Sequence, residues 1–231
     1  VGAREAKKAF IFARDAITGE WGTTAVTEIT GYTGYGDFGT RVAMTDNYAI
    51  VGAHGSGTAF IFARDTTTGV WGATAAAEIL GYTGQTYFGL GVAMTDSHAI
   101  VGAFGAKKAF VFSRDPTTGV WGTTASAEIT GYTGEGDFGH GVAITDNFAM
   151  VGAYGAKKVF IFVRDATTGV WGTTALADIT GYTDHACFGL GVGMTDSHVI
   201  VGARDAKKAF IFARDTITGA WGTTAVAEIT G

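Results

Sequence analysis

Cysteine, proline and charge are all scarce in this chain. A single cysteine, Cys187, stands among 231 residues, so no intrachain disulfide can form. One proline accompanies 37 glycines. That ratio excludes a collagen-like chain and leaves glycine to serve tight turns and close backbone contacts. Charged residues make up 16% and apolar ones 47%, which is too apolar for disorder and enough for a large core. The net charge of -5 argues against nucleic acid as a partner, because phosphate binding needs a basic surface. No apolar run reaches the length of a bilayer span and no basic amphipathic helix is visible, so no membrane insertion is expected. No Asn-X-Ser/Thr sequon occurs. The chain starts in mid-repeat at Val1 without an initiator Met or signal sequence, which suggests a mature or trimmed piece of a longer product.

What is present is a repeat. Val-Gly-Ala begins at Val1, Val51, Val101, Val151 and Val201, a period of 50 residues without insertion or deletion. Such a period means a solenoid, propeller or array. In the third copy, Phe138 to Ile144 is an apolar run, and Thr145-Asp146-Asn147 follows as a turn signal. Phe148 to Ala153 is a second run, and Gly155-Ala156-Lys157-Lys158 is a polar link. Val159 to Val163 is rich in β-branched and aromatic residues, as strands are. Arg164 to Gly169 turns the chain again, and Val170-Trp171 to Ile179 completes a fourth strand. The runs are nearly continuous, as for strands covered on both faces. Four-stranded units repeated about an axis make a β-propeller of about five blades, with a solenoid as the alternative. The expectation is an all-β single domain over residues 1–231, with repeats 1–50, 51–100, 101–150, 151–200 and a partial repeat 201–231.

Phe88-Gly89, Val92-Ala93, Ile100-Val101-Gly102-Ala103 and Ala109-Phe110-Val111-Phe112 together resemble the FG-GAP repeat. Phe-Gly occurs at Phe38, Phe88, Phe138 and Phe188, so the likeness covers nearly the whole chain. The resemblance implies a propeller like the heads of integrin α subunits and of microbial surface proteins, with ligand bound on one loop face. The family's proline after Gly-Ala is replaced by Arg4, His54, Phe104, Tyr154 and Arg204. Its calcium loop is reduced to Thr45-Asp46-Asn47 and counterparts. One carboxylate cannot supply the six or more oxygens that calcium takes, so neither metal nor cofactor is expected.

The Phe-Gly strand occurs four times and the other three strands five times, which leaves one blade a strand short. An unpaired edge is a template for pairing, and self-association through it is one expectation. Variation between copies gathers in two loops. One follows Val-Gly-Ala and the other precedes Phe-Gly, and antiparallel connectivity puts both on one face. A binding surface is expected there, with His54, Phe104, Tyr154, Tyr35, Tyr87, Glu135, Asp137 and His185 as contact residues for a protein or glycan ligand. The repeated Arg64-Asp65 with Gly69 and Trp71 is read as an Asp-stabilised turn. Scattered histidines and the pair His185–Cys187 show no metal-ligand spacing. Cys187 has no evident base, and no acid–base constellation stands out. The overall expectation is a non-enzymatic adhesion or binding module, extracellular or at the cell surface. A multivalent lectin and a filament subunit joined through the incomplete blade are the alternatives.

Overall fold

A computed structural model gives the architecture; it describes every residue except Gly81, Thr83, Gly131, Gly181 and Thr183. Five antiparallel sheets follow one another along the chain. The first holds β1 (Gly2–Ala3), β2 (Lys8–Ile11) and β3 (Thr27–Ile29). The second holds β4 (Phe38–Met44), β5 (Tyr48–Ala53), β6 (Thr58–Ala63) and β7 (Ala77–Ile79). The third holds β8 (Phe88–Met94), β9 (His98–Ala103), β10 (Lys108–Ser113) and β11 (Ala127–Ile129). The fourth holds β12 (Phe138–Ile144), β13 (Phe148–Ala153), β14 (Lys158–Val163) and β15 (Ala177–Ile179). The fifth holds β16 (Phe188–Met194), β17 (His198–Ala203), β18 (Lys208–Ala213) and β19 (Ala227–Thr230). Strands pair in chain order within each sheet. The fold is a β-propeller of small blades, the first of them a strand short.

The turns explain why the chain reverses where it does. Asp65 Oδ1 accepts the backbone N–H groups of Thr67 and Thr68 at 2.8 and 2.7 Å, and Gly69 takes the left-handed φ of 73° that the turn needs. This turn shortens the fourth strand relative to the expected span. Only Ala177–Ile179 joins the ladder, while Trp171 makes an isolated bridge to Arg164. The Thr-Asp-Asn/Ser turn works differently from the expectation that its Asp bonds its own backbone. There Thr95 Oγ1 accepts from Ser97 and His98 N–H at 3.1 and 3.0 Å. The Asp reaches the preceding blade instead: Asp96 accepts from the Thr45 hydroxyl, and from the Asn47 amide at 2.6 Å.

The core lies in the seams between blades. At the first seam Ala9, Ile11 and Ile29 pack against Phe38, Phe60, Phe62 and Trp71. Tyr32 stacks on Phe38 at 4.6 Å and 6°. Glycine sets how close the blades come. A Cβ at Gly52 would stand 1.9 Å from the Gly89 carbonyl oxygen, and one at Gly152 would stand 2.0 Å from that of Gly189. Side chains at these positions would hold the blades apart. Val-Gly-Ala and Phe-Gly are therefore the two halves of one packing contact.

At the fifth and first blades the equivalent seam residues are more exposed. Ile200 is 42% exposed where Ile50 and Ile100 are 0%. Trp21 is 69% exposed where Trp121 is 4%. Beside the fifth blade lies a cavity of about 560 Å³ lined by Gly202, Lys207, Ala209 and Ile229, with Arg41 of the second blade.

Candidate active site

The loop before each Phe-Gly meets the loop after Val-Gly-Ala of the same blade. Asp37, Tyr87, Asp137 and Cys187 each precede a Phe-Gly phenylalanine, and each has a left-handed φ, between 59 and 62°. Such a backbone is uncommon for residues other than glycine, and least awkward for aspartate. It directs four equivalent positions onto the facing loops, where they make four different pairs. Asp37 Oδ2 lies 3.2 Å from His54 Nε2 and its Oδ1 accepts from Arg4 Nε at 2.6 Å. Tyr87 stacks on Phe104 at 4.5 Å and 12°. The Tyr154 hydroxyl donates to the Asp137 carboxylate. Cys187 Sγ donates to Asp205 at 3.3 Å.

Aromatic contacts link three of these pairs. His54 is 5.8 Å from Tyr87, Phe104 is 5.3 Å from His140, and His140 is 5.0 Å from Tyr154. Of the eight residues expected to bind ligand, His54, Tyr87, Phe104, Tyr154 and Asp137 fall in this chain of contacts. The other three are placed elsewhere. Tyr35 packs into the first seam, 4.7 Å from Phe60. His185 packs edge-on against Phe210 at 4.9 Å. Glu135 forms an ion pair with Lys158 at 2.8 Å.

The inner strands β4, β8, β12 and β16 enclose a cavity of about 260 Å³, lined by Arg41, Gly91, His140, Gly141, Leu190 and Gly191 among others. The ladder shifts register between Phe138 and Val142, so His140 sits on a bulge, a device that re-aims a side chain. Burial holds the His140 imidazole below the usual histidine value, and the Arg41 charge adds to the effect. The Leu190 backbone opposes that lowering without cancelling it, and Nδ1 is shielded and without a hydrogen-bond partner. Arg41 is exposed and makes no ion pair among the described residues. The Cys187 thiol is raised, first by its hydrogen bond to Asp205, so it is a poor nucleophile at neutral pH. Among the described residues no three His, Cys, Asp or Glu side chains stand where they would hold a metal ion.

The propeller resembles several solved structures in fold. A Bacteroides uniformis protein named as a 6-phosphogluconolactonase superposes with a TM-score of 0.67 at 17% identity, over 95% of this chain and 64% of its own. A Desulfotomaculum acetoxidans protein of unknown function gives 0.54 at 15% identity, over 100% and 79%. The Pseudomonas aeruginosa periplasmic gluconolactonase gives 0.50 at 13% identity, over 79% and 51%. This chain thus spans less than two thirds of the length of either lactonase. No protein-family model matches it, and no curated protein matches it.

These neighbours correct two expectations. Kinship with the FG-GAP family is not supported, and its motifs have a physical explanation instead: Val-Gly-Ala and Phe-Gly recur because every blade seam needs a glycine facing a glycine carbonyl. The non-enzymatic adhesion module is overturned as well, together with its lectin and filament alternatives, since the named neighbours are lactonases.

Sequence reasoning did not single out Arg41, and it set His140 aside with the other scattered histidines. A signal was available, because position 41 is Gly91, Gly141 and Gly191 in the other copies and position 140 is Thr40, Leu90 and Leu190. Both are departures inside a strand that otherwise repeats closely.

Proposed function

We propose that this propeller hydrolyses a sugar lactone at its axial cavity. The observation that carries the reading is the convergence of Arg41 and His140 on that cavity, at strand positions where the other copies have other residues. His140 is neutral at physiological pH because burial disfavours its charged form. His140 is the imidazole that lines this cavity, and it serves as the proton acceptor for a water there. Water adds to the lactone carbonyl carbon while His140 takes its proton. The carbonyl oxygen gains negative charge, which the Arg41 guanidinium stabilises. The ring C–O bond then breaks, and His140 returns the proton to the departing alkoxide, leaving an open-chain hydroxy acid. The aromatic belt of Tyr87, Phe104 and Tyr154 offers apolar faces to the sugar ring.

Support comes from the lactonase names of two fold neighbours and from the chemistry of the cavity. One neighbour is periplasmic, which favours a site of action outside the cytoplasm; no helix among the described residues is long and apolar enough to cross a membrane. The test is proton release in a pH-stat with phosphorylated and plain aldonolactones. The wild-type chain should accelerate ring opening, and His140→Asn should lose about 10²- to 10⁴-fold of that rate. Arg41→Ala should lose rate too. Equal rates in wild type and His140→Asn would overturn the assignment, and so would no acceleration over buffer.

A further inference from the structure

Two loops of the fourth blade close on His140. The first, residues 135–137, leads into β12, and the second, residues 154–157, joins β13 to β14. Three ties hold them together. The Glu135 carboxylate accepts from Lys158 Nζ at 2.8 Å. The Gly136 carbonyl accepts the Ala156 N–H at 3.2 Å. The Asp137 carboxylate accepts the Tyr154 hydroxyl. Gly155 admits that carboxylate, since a Cβ there would stand 2.5 Å from Asp137 Oδ2. The φ of 59° at Asp137 is a left-handed backbone that aspartate tolerates better than most residues.

Both ends of this clamp reach the imidazole. On the backbone side, the His140 N–H donates to the Asp137 carbonyl at 3.3 Å, so the turn that aims the carboxylate also sets where the histidine leaves the chain. On the ring side, His140 meets Tyr154 nearly at right angles, with centroids 5.0 Å apart and planes at 79°. Phe104 meets it at 5.3 Å and 56°. The same turn recurs in other blades, where Thr40, Leu90 and Leu190 donate to the carbonyls of Asp37, Tyr87 and Cys187. Of these four positions only 140 carries an imidazole, and only its blade pairs an aspartate with a tyrosine. Where the fourth blade has Tyr154, the others have His54, Phe104 and Arg204.

We infer that Tyr154, latched by Asp137, is a positioning residue that holds the His140 imidazole toward the axial cavity. The inference rests on the lactonase reading above and extends it by two residues. An imidazole turns about two side-chain torsions, the second of them soft. Packing it against two rings, one of them tied down by a hydrogen bond, removes that freedom and keeps a base within reach of its proton. The latch is also part of the charge around the ring. Burial, Arg41 and Arg204 favour the neutral imidazole, while Asp137 and the Leu190 backbone favour the charged one.

Two variants of the full chain test this. Tyr154→Phe keeps the ring and cuts the latch. With an aldonolactone in the pH-stat it should lower kcat about ten- to a hundredfold, with KM unchanged because the ring face offered to the sugar remains. Asp137→Asn keeps an acceptor for the tyrosine hydroxyl and accepts the left-handed backbone, so it should retain most of kcat. Histidine NMR titration without substrate gives the second readout. Tyr154→Phe leaves the Asp137 charge without its donor and should move the His140 pKa up. Asp137→Asn removes that charge and should move it down. The acid limb of kcat/KM, which reports the free enzyme, should follow both shifts. General loosening of the blade would instead move both upward, toward the exposed value. Wild-type kcat in Tyr154→Phe, an equal loss in Asp137→Asn, or a His140 titration unmoved by both variants would overturn the inference. A wild-type chain that does not accelerate ring opening would sink the lactonase reading instead, and the two titrations would still decide whether the latch governs His140.

Discussion

The imidazole of His98 meets the indole of Trp171 edge-on, with ring centroids 5.3 Å apart, across the seam between the third and fourth blades. Its Nδ1 lies 3.2 Å from Asp146 Oδ1. Burial pushes the His98 pKa below the ordinary 6.5, outweighing the raising effect of the Asp146 hydrogen bond. A neutral imidazole is thus the form the fold prefers. Its contribution is full above 6.5 and is lost as pH falls through the lower folded value. The counterpart position offers a control, since Phe148 meets Trp221 at 5.5 Å in the same edge-on way. His98→Phe should cost less than about 1.5 kcal/mol at neutral pH, being close to volume-conserving. It should also flatten the loss of stability between neutral pH and about pH 5, the histidine range. Urea denaturation midpoints at the two pH values decide this, and an unchanged pH slope in the variant would count against it.

Glycine spacing makes a second prediction. A Cβ at Gly102 would stand 1.9 Å from the Gly139 carbonyl oxygen, which is backbone and cannot step aside. Gly102→Ala should therefore destabilise by about 1–3 kcal/mol or more, as overpacking does. Gly202→Ala, at the same repeat position but with its nearest neighbour at an ordinary 3.5 Å, should change stability by less than about 0.5 kcal/mol, as exposed substitutions do. Thermal melts of the two variants side by side separate a packing role from an intrinsic glycine preference. Equal losses would mean that the backbone, not the neighbour, demands glycine.

Much of this fold could be read from the chain. The strands Phe138–Ile144 and Phe148–Ala153 have the expected bounds, because the turn between them is marked by residues with strong local chemistry. The short first blade was legible too, since counting Phe-Gly motifs needs no tertiary knowledge. The fourth strand was misjudged because Trp171 reads as a strand residue, while its indole is committed to the neighbouring blade. The site was harder. Which loop residues touch depends on left-handed backbone at Tyr87 and Cys187, which no local propensity favours. His140 and Arg41 meet only because inner strands from different blades converge on one cavity, a relationship at sequence distances where pattern reading has no purchase.

The repeated Asp turn predicts acid sensitivity. Asp15, Asp65, Asp115, Asp165 and Asp215 are all held below the ordinary carboxylate value of 3.8, chiefly by backbone N–H groups two and three residues on. A depressed folded value means stabilisation that is full above 3.8 and is lost as pH falls through the folded value. All five turns should therefore loosen together in acid. Carbon-detected NMR titration of the aspartate side chains should find these five below the ordinary 3.8, and Asp115→Asn should shift the acid unfolding midpoint upward. Five carboxyls titrating at the ordinary value would refute the account.

Tyr132 separates packing from hydrogen bonding within one side chain. Its ring stacks on Phe138 at 4.5 Å and 5°, and stands edge-on to Phe162 at 5.7 Å. Its hydroxyl accepts the Ala175 N–H at 2.9 Å in a partly buried site. Tyr132→Phe keeps the stack and removes the acceptor, leaving a backbone donor without its partner. The cost should be about 1–3 kcal/mol, the penalty for an unsatisfied buried group. Tyr132→Ala also empties the seam and should cost about 3–5 kcal/mol, as large aromatic truncations do. Hydrogen exchange gives the decisive measurement: Tyr132→Phe should accelerate exchange at Ala175 more than at Phe162, whose strand hydrogen bonds remain. Uniform acceleration across the fourth blade would show that the hydroxyl acts through global stability and not through that one bond.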